Sequence, residues 1–465
     1  MSNPVLRLGI LGASETIQTT ILPTLASLKT HFKLTIIYDQ NDTVAKHCQK
    51  EFNITHSTTS TQELLTHPEV DLVLNLLPFE YHEQYTIAAL EAGKHVMVEV
   101  PLSLSINGLR CIRKATAKGL DVRSNHSTNN DTIYNPPKVF VGCARRYAPC
   151  FTDVFKKELA SLDRVYYARC RNISGPMRIS TLQEPSVNDT NGSSLNANGY
   201  GDGLVQNGAT KGHDDGNVTN NTDGVTPITS AEHFDALLTD IFGAEDLTPD
   251  RIAFCRFLGN RGCHDLSLMR ESLGFPDAVA NVAITDPFYS TIFHYTDSES
   301  ICGPSGEGHP FTVMYETGVD SVPRSDAHLT VYGATKTISV EYDVPSLTRP
   351  AACGSEGQVK VIVEEMESEN EHINGNGSAN GNGVSKGNGF VHRSPVKRTE
   401  YVSSVAESYE REFLAMHSYL HRGYQTGTGA EAKTTANDAL MDLRLLNMIF
   451  EHYDRQCGTI RTPLG

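Results

Sequence analysis

The alternation of short apolar runs with helical stretches over the first hundred residues restricts this chain most. "VLRLGIL" (5–11), "FKLTIIYD", "VDLVLNLLP" and "HVMVEVP" have strand character, and "ETIQTTILPTLASLKTH", "TVAKHCQKEF", "TTSTQELLTH" and "YHEQYTIAALEAG" read as the helices between them. Strands separated by helices of about 10 to 15 residues form βαβ units around a parallel sheet. Ligands of such sheets bind outside the carboxyl ends of the strands. That rule gathers Gly12, Ala13 and Ser14, then Asp39, Leu77 and Pro78, and finally Glu99 and Val100 around one crevice.

The second half is α+β. "DRVYYARCRNI", "VANVAIT", "FTVMYETGV", "AHLTVYGATKTISVEY" and "GQVKVIVEEM" alternate as strands of a sheet with one covered face. "CHDLSLMRESLG" reads as a helix ending at Gly274, and two long amphipathic helices close the chain. The expected division is an α/β domain over 1–142, a doubly wound parallel sheet with a polar loop at about 121–137, and an α+β domain over 143–465. Stretches at about 182–228 and 366–396, rich in Asn, Gly, Asp and Ser, are expected to be disordered insertions, because they bury too little apolar surface to offset their ordering entropy.

With a net charge of −16 the chain lacks the basic face that nucleic acid or an anionic membrane requires. No apolar run approaches the roughly 18 residues of a membrane span, and "MSNPVLRLGILGAS" does not read as a secretory signal. The ten cysteines are scattered without zinc-type spacing. A cytoplasmic protein with reduced thiols, no metal and a small-molecule substrate is expected.

Gly9-Ile10-Leu11-Gly12-Ala13-Ser14 puts small residues between the first strand and its helix, where a pyrophosphate meets backbone N–H groups. The glycine fingerprint is incomplete: counting from Gly12, its second position is Ser14 and its third Ile17. Asp39 ends the second strand, where a carboxylate accepts from adenosine ribose hydroxyls and repels a 2′-phosphate. No arginine follows directly in "DQNDT", so of NAD or NADP the former is favoured. A solvated aspartate in a turn is the competing reading.

"VDLVLNLLPFEYHEQYTIAALEAGKHVMVEVPLS" resembles the corresponding segment of the Gfo/Idh/MocA oxidoreductases. Pro78, His82, Ala92-Gly93-Lys94-His95-Val96, Glu99 and Pro101 match that family's strand, helix and E-K-P pattern. "VFVGCARRYAP" resembles its next strand, which carries Arg145 and Arg146, and "GNRGCHDLSLMRESLG" its D-x-x-x-H helix. The resemblance implies a Rossmann domain, a C-terminal domain with an open, largely antiparallel sheet that often dimerises, and oxidation or reduction of a hydroxyl or carbonyl on sugars and polyols. It also implies His82 and the strand tips as cofactor neighbours.

The departures fall at the chemistry. Val100 replaces the lysine of E-K-P and Asn260 the aspartate of D-x-x-x-H, while His264 matches. A positioned acid/base group contributes about 10² to 10⁴ in rate. His264, with an ordinary pKa near 6.5, is the expected proton-transfer group, and Lys94 sits at the wrong end of its strand. Asn260 could donate to a carbonyl oxygen or merely cap a helix. Arg145, Arg146 and Asp265 are candidate substrate contacts, and Tyr315 and Glu316 are expected to be sheet residues. Two functions follow: an NAD(P)-dependent oxidoreductase, or a non-catalytic dinucleotide-binding sensor such as regulators that resemble this family and lack the same lysine. The Asn/Gly insertions suggest a eukaryotic, fungal-type member and are compatible with both.

Overall fold

Several N-terminal strands are rich in aliphatic side chains and almost wholly buried: Leu72–Asn75 and Val139–Gly142 throughout, and Leu6–Leu11 apart from Arg7. The computed structural model describes residues 4–125, 136–175, 230–243, 247–298, 301, 308–322, 325–342, 357–366, 396–421 and 433–458. The N-terminal part runs β1 (Leu6–Leu11), α1 (Leu22–Ser27), β2 (Phe32–Tyr38), α2 (Asp42–Glu51), β3 (His56–Thr58), α3 (Thr61–Thr66), β4 (Leu72–Asn75), α4 (His82–Glu91), β5 (His95–Glu99), α5 (Ile106–Asn125) and β6 (Val139–Gly142). Six strands in the order β3-β2-β1-β4-β5-β6 pair in parallel, the doubly wound order that puts a switch point between β1 and β4.

Helix α1 begins in a wide turn at Ile17–Ile21. There the Leu22 N–H donates to the Ile17 carbonyl, just before Pro23, which has no N–H to continue the ordinary ladder. The expected polar loop at about 121–137 is corrected at its start: "DVRSN" holds no helix breaker, so α5 continues to Asn125. The rest of that loop, apart from 136–137, and almost all of the two expected insertions lie outside the described residues.

The chain then makes one helical turn at Ala144–Tyr147 and continues through α6 (Lys156–Ala160), β7 (Tyr167–Ser174), α7 (Ser230–Phe242), α8 (Pro249–Phe257) and α9 (Cys263–Leu273). Strands β8 (Ala278–Thr285), β9 (Phe288–Tyr295), β10 (Phe311–Val319), β11 (Ser325–Tyr332), β12 (Lys336–Tyr342), β13 (Gln358–Met366) and β14 (Val396–Ser404) follow, then α10 (Val405–His421) and α11 (Ala436–Gly458). The second sheet is open, in the order β14-β13-β12-β11-β7-β10-β9-β8. Of its pairings, β7 with β10 is parallel and the others are antiparallel. Burial alternates strictly along β7, as one covered face requires. That face packs Val313, Leu329 and Val340 against Phe257, Leu266 and Met269 of the helices.

The closing helices join the halves. Phe413, Met416 and Leu420 of α10 enter the core beside β1 and β2. Ala439 and Leu443 of α11 pack beneath the other face of the first sheet, while Leu445, Leu446 and Ile449 belong to the core of the second. Just before α11 the chain seals the edge of β6, with the Val141 N–H donating to the Thr434 carbonyl at 3.0 Å. Among the described residues no helix is long and apolar enough to cross a membrane.

Arg146 is the polar hub of this junction. It is 2% exposed and bonds Glu271, Ser267 (3.1 Å), Asp438 (2.5 Å) and the Lys433 carbonyl (2.8 Å). Removing one partner of a buried ion network leaves the others uncompensated. Arg146→Ala is therefore expected to lower unfolding stability by about 3–5 kcal/mol, measured by urea denaturation; a change within experimental error would contradict the hub.

Candidate active site

The crevice starts at Gly12. Its φ is +98°, its N–H donates to the Tyr38 carbonyl at 2.9 Å, and a Cβ there would stand 3.1 Å from the Leu76 carbonyl oxygen. A side chain at this position would suffer both backbone strain and contact. The next amide, Ala13, donates to Asp39 Oδ2 at 3.1 Å, and the Asn41 N–H donates to Oδ1 at 2.9 Å. Asp39 thus fastens the tip of β2 to the glycine turn and keeps free lone pairs for hydroxyl donors. Ser14 is exposed at the start of the helical run.

At the next strand tips His82 is 3% exposed, with Nε2 2.8 Å from the Leu77 carbonyl and Nδ1 2.8 Å from the Pro101 carbonyl. It clips the loop after β4 to the loop after β5, and burial lowers its pKa against the pull of the two carbonyls. Leu77 and Pro78 lie on the first of these loops. Val100 is 5% exposed and packs with Leu102, Leu109, Cys143, Cys263 and Leu443. Its side chain fills an apolar cluster and borders a narrow cleft shared with Cys263, Leu443 and Asp442. Lys94 is indeed remote: its ammonium donates to the His67 and Val70 carbonyls at 2.8 Å.

Across the crevice, residues 249–273 form one continuous helical run widened at Leu258–Gly262. The reading of Asn260 as a helix cap is corrected here, because the helix passes through it without a break; its side chain is exposed. Widened turns of this kind are frequent at functional sites. Gly259 lies so close to the Phe79 ring that a Cβ would stand 2.6 Å from it, which docks this helix on the loop after β4.

His264 follows, half-buried, and among the described residues its ring has no hydrogen-bond partner. Burial and the neighbouring Arg145 and His82 lower its pKa to about 3, which corrects the expected ordinary value. Asp265, 0% exposed, faces the other way: it accepts from Arg145 at 2.7 Å and from Asn172 at 2.8 Å. The Arg145 guanidinium also stacks 4.3 Å from the Tyr342 ring. Asp265 therefore anchors Arg145, and Arg146 is held by the network described above.

Glu99 stands at the tip of β5, half-buried, with Oε1 buried and unpartnered. Burial raises its pKa, and the Arg145 charge opposes the rise. These residues fit a dinucleotide: an exposed helix start after a glycine turn, a carboxylate at the end of β2 and an orphaned acceptor at the tip of β5 face the crevice predicted from strand order. His264, Arg145, His82 and Glu99 gather there. Tyr315 and Glu316 are sheet residues as expected, the first buried and the second paired with Arg169.

Three participants escaped the sequence reading: Asn172 and Tyr342, which support the Arg145–Asp265 pair, and Glu412. Only Glu412 left a trace, as a carboxylate at helical spacing from Ser408 and Met416 and beside Phe413 on the buried face of α10.

Residues 6–126 match the model of the GFO_IDH_MocA family, described as an oxidoreductase family with an NAD-binding Rossmann fold. The 1,5-anhydro-D-fructose reductase of Ensifer adhaerens is 32% identical over 106 residues, which are 23% of this chain and 32% of the reductase. The matched segment spans about a third of the length of such curated relatives. Over nearly its whole length the chain resembles KijD10, a 3-ketoreductase of Actinomadura kijaniata solved with NADP and TDP-benzene (TM-score 0.55, 12% identity, 96% of this chain and 98% of that one). An oxidoreductase of Thermotoga maritima gives a TM-score of 0.53 at 16% identity, with 96% of each chain covered. At such identities the likeness shows the fold.

The depressed pKa of His264 has a signed consequence. The folded state binds this proton less readily than the unfolded chain, so stability is lost as pH falls below the unfolded value of about 6.5 and the loss continues toward about 3. The His264 ring resonances are expected not to titrate between pH 5 and 8 by NMR, and His264→Gln to soften the acid-induced loss of stability. A midpoint near 6.5 would contradict the placement.

Proposed function

We propose that this chain, whose residues 6–126 match the Gfo/Idh/MocA oxidoreductase family, is a member of that family and an NAD(P)-dependent oxidoreductase. The reaction moves a hydride between nicotinamide and a hydroxyl or carbonyl carbon of a sugar-like, polyol or secondary-metabolite substrate. Gly12, Ala13, Ser14, Asp39, Leu77, Pro78 and Glu99 are the residues that would hold the dinucleotide, with His82 fixing the two loops behind it. Asp39, with Asp42 close by in sequence, disfavours a 2′-phosphate and favours NAD. When bound, the nicotinamide supplies or accepts the hydride; the side chains handle orientation and the proton.

The observation that carries this reading is the half-buried imidazole of His264, without a hydrogen-bond partner among the described residues, beside Arg145 and His82. A neutral ring there accepts a hydrogen bond from a substrate hydroxyl or donates one to a carbonyl oxygen. Arg145, fixed by Asp265 and Tyr342, presents the rest of its guanidinium to substrate oxygens, and exposed Asn260 offers an amide on the same helical run. Arg146 has no place in substrate binding. Residues 1–142 serve the cofactor and 143–465 the substrate, and the open face of the second sheet pairs two copies of the chain.

The packing of Val100 into the core and the low proton affinity of His264 also favour the second reading, a dinucleotide-binding sensor without turnover. A panel of sugars and polyols assayed with NAD and NADP separates the two. Turnover that falls about 10²-fold or more in His264→Ala supports the enzyme, and dinucleotide binding without turnover on any substrate supports the sensor. Val100→Lys would force an ammonium among Leu102, Leu109 and Leu443 and is expected to destabilise the fold by at least about 2 kcal/mol with no gain in rate. A faster, equally stable variant would show that position 100 opens on the substrate.

A further inference from the structure

One carboxyl at the crevice, Glu99, and one buried behind it, Glu412, approach the same peptide unit. Residues Glu99 and Gly142 are register partners of β5 and β6, and a Cβ on Gly142 would lie 3.1 Å from Glu99 Oε1. The next amide, Cys143 N–H, donates to Glu412 Oε1 at 2.5 Å. The two side chains therefore flank a single peptide unit, one reaching in from the strand tip and the other descending from α10. Glu412 is 0% exposed, and its Oε2 is buried without a partner, as is Glu99 Oε1. Each carboxyl thus buries one oxygen without a donor, and the Glu99 charge disfavours ionisation of Glu412, so ionising both at once is costly.

We propose that Glu99 and Glu412 share one proton and together form the titrating group of the cofactor site, in place of the ammonium that Val100 removes. This rests on the dinucleotide reading above. The pair keeps one negative charge when singly protonated and gains a second when the shared proton leaves. Its surroundings are mixed. Arg145 and the Cys143 thiol face Glu99; Tyr409 lies near both carboxyls; and Arg146, Lys433, Tyr147 and Cys143 lie around Glu412. Burial raises both carboxyl pKa values, and the Glu99 charge pushes Glu412 further up. The oxidised nicotinamide carries a positive charge that the reduced one lacks, so loss of a proton from the pair favours NAD⁺ over NADH.

Sign and size follow from linkage. A group with raised pKa holds its proton at acid and neutral pH and releases it as pH rises, and one linked proton changes a binding constant by up to about tenfold per pH unit. The test titrates NAD⁺ and NADH into the full chain from pH 5.5 to 9, by calorimetry and NADH fluorescence, for wild type, Glu412→Gln and Glu99→Gln. In the wild type the NAD⁺/NADH affinity ratio is expected to rise with pH by up to tenfold per unit. Glu412→Gln keeps the Cys143 contact through its amide oxygen and removes the neighbouring charge, so Glu99 is expected to ionise at lower pH and the ratio to flatten; Glu99→Gln flattens it as well. A flat wild-type ratio, or a wild-type slope retained in either folded variant, overturns the shared proton. If neither dinucleotide binds the wild type, the underlying reading fails, and the proposal with it.

Discussion

Arg145 and Arg146 leave one short turn after β6 in different directions, and both end on α9. Arg145 meets Asp265 and stacks on Tyr342 of the second sheet; Arg146 meets Glu271 of α9 and Asp438 of α11. Buried guanidinium groups are stable only with their partners in place, so this pair of residues fixes α9 against the tips of the parallel strands. Without that docking His264 would have no defined relation to Glu99 and His82, and the crevice would be two unrelated surfaces.

Docking also sets the electrostatics. Arg145 opposes the burial of Glu99 while disfavouring a proton on His264. Burial with this one cation keeps the imidazole neutral, and the same cation tempers the carboxyl that burial drives toward protonation. An ammonium in place of Val100 would have had to share this space. The chain puts an aliphatic group into the core there instead, and the titratable capacity of the site moves to one carboxyl at the crevice and one behind it.

The parallel half was legible in the sequence because its signals are local: aliphatic runs of strand length, a small-residue turn at Gly12, and Asp39 one strand later. The open sheet was legible through its alternation for the same reason. The tip of α5 was misread because "DVRSN" is polar, and polarity alone does not end a helix that is anchored by Leu109, Ile112 and Ala115. Asn260 was misread because a widened turn can carry a helix past glycines that suggest a break. The proton affinity of His264 could not be read at all, since it is set by burial in the fold and by Arg145 and His82, far away in the chain. Glu412 is the same case: a glutamate at helical spacing from Met416 and beside Phe413 hinted at burial, but its partner became identifiable only when α10 was seen against the Gly142–Cys143 peptide.

On the proposed reading the nicotinamide ring lies against Glu99 and His264. A crystal structure of the full chain with NADH tests it directly. The pyrophosphate is expected at the Gly12 turn, the adenosine ribose on Asp39 and the nicotinamide ring in contact with both Glu99 and His264. A dinucleotide bound with its nicotinamide away from these two side chains, or at a different surface, would contradict it.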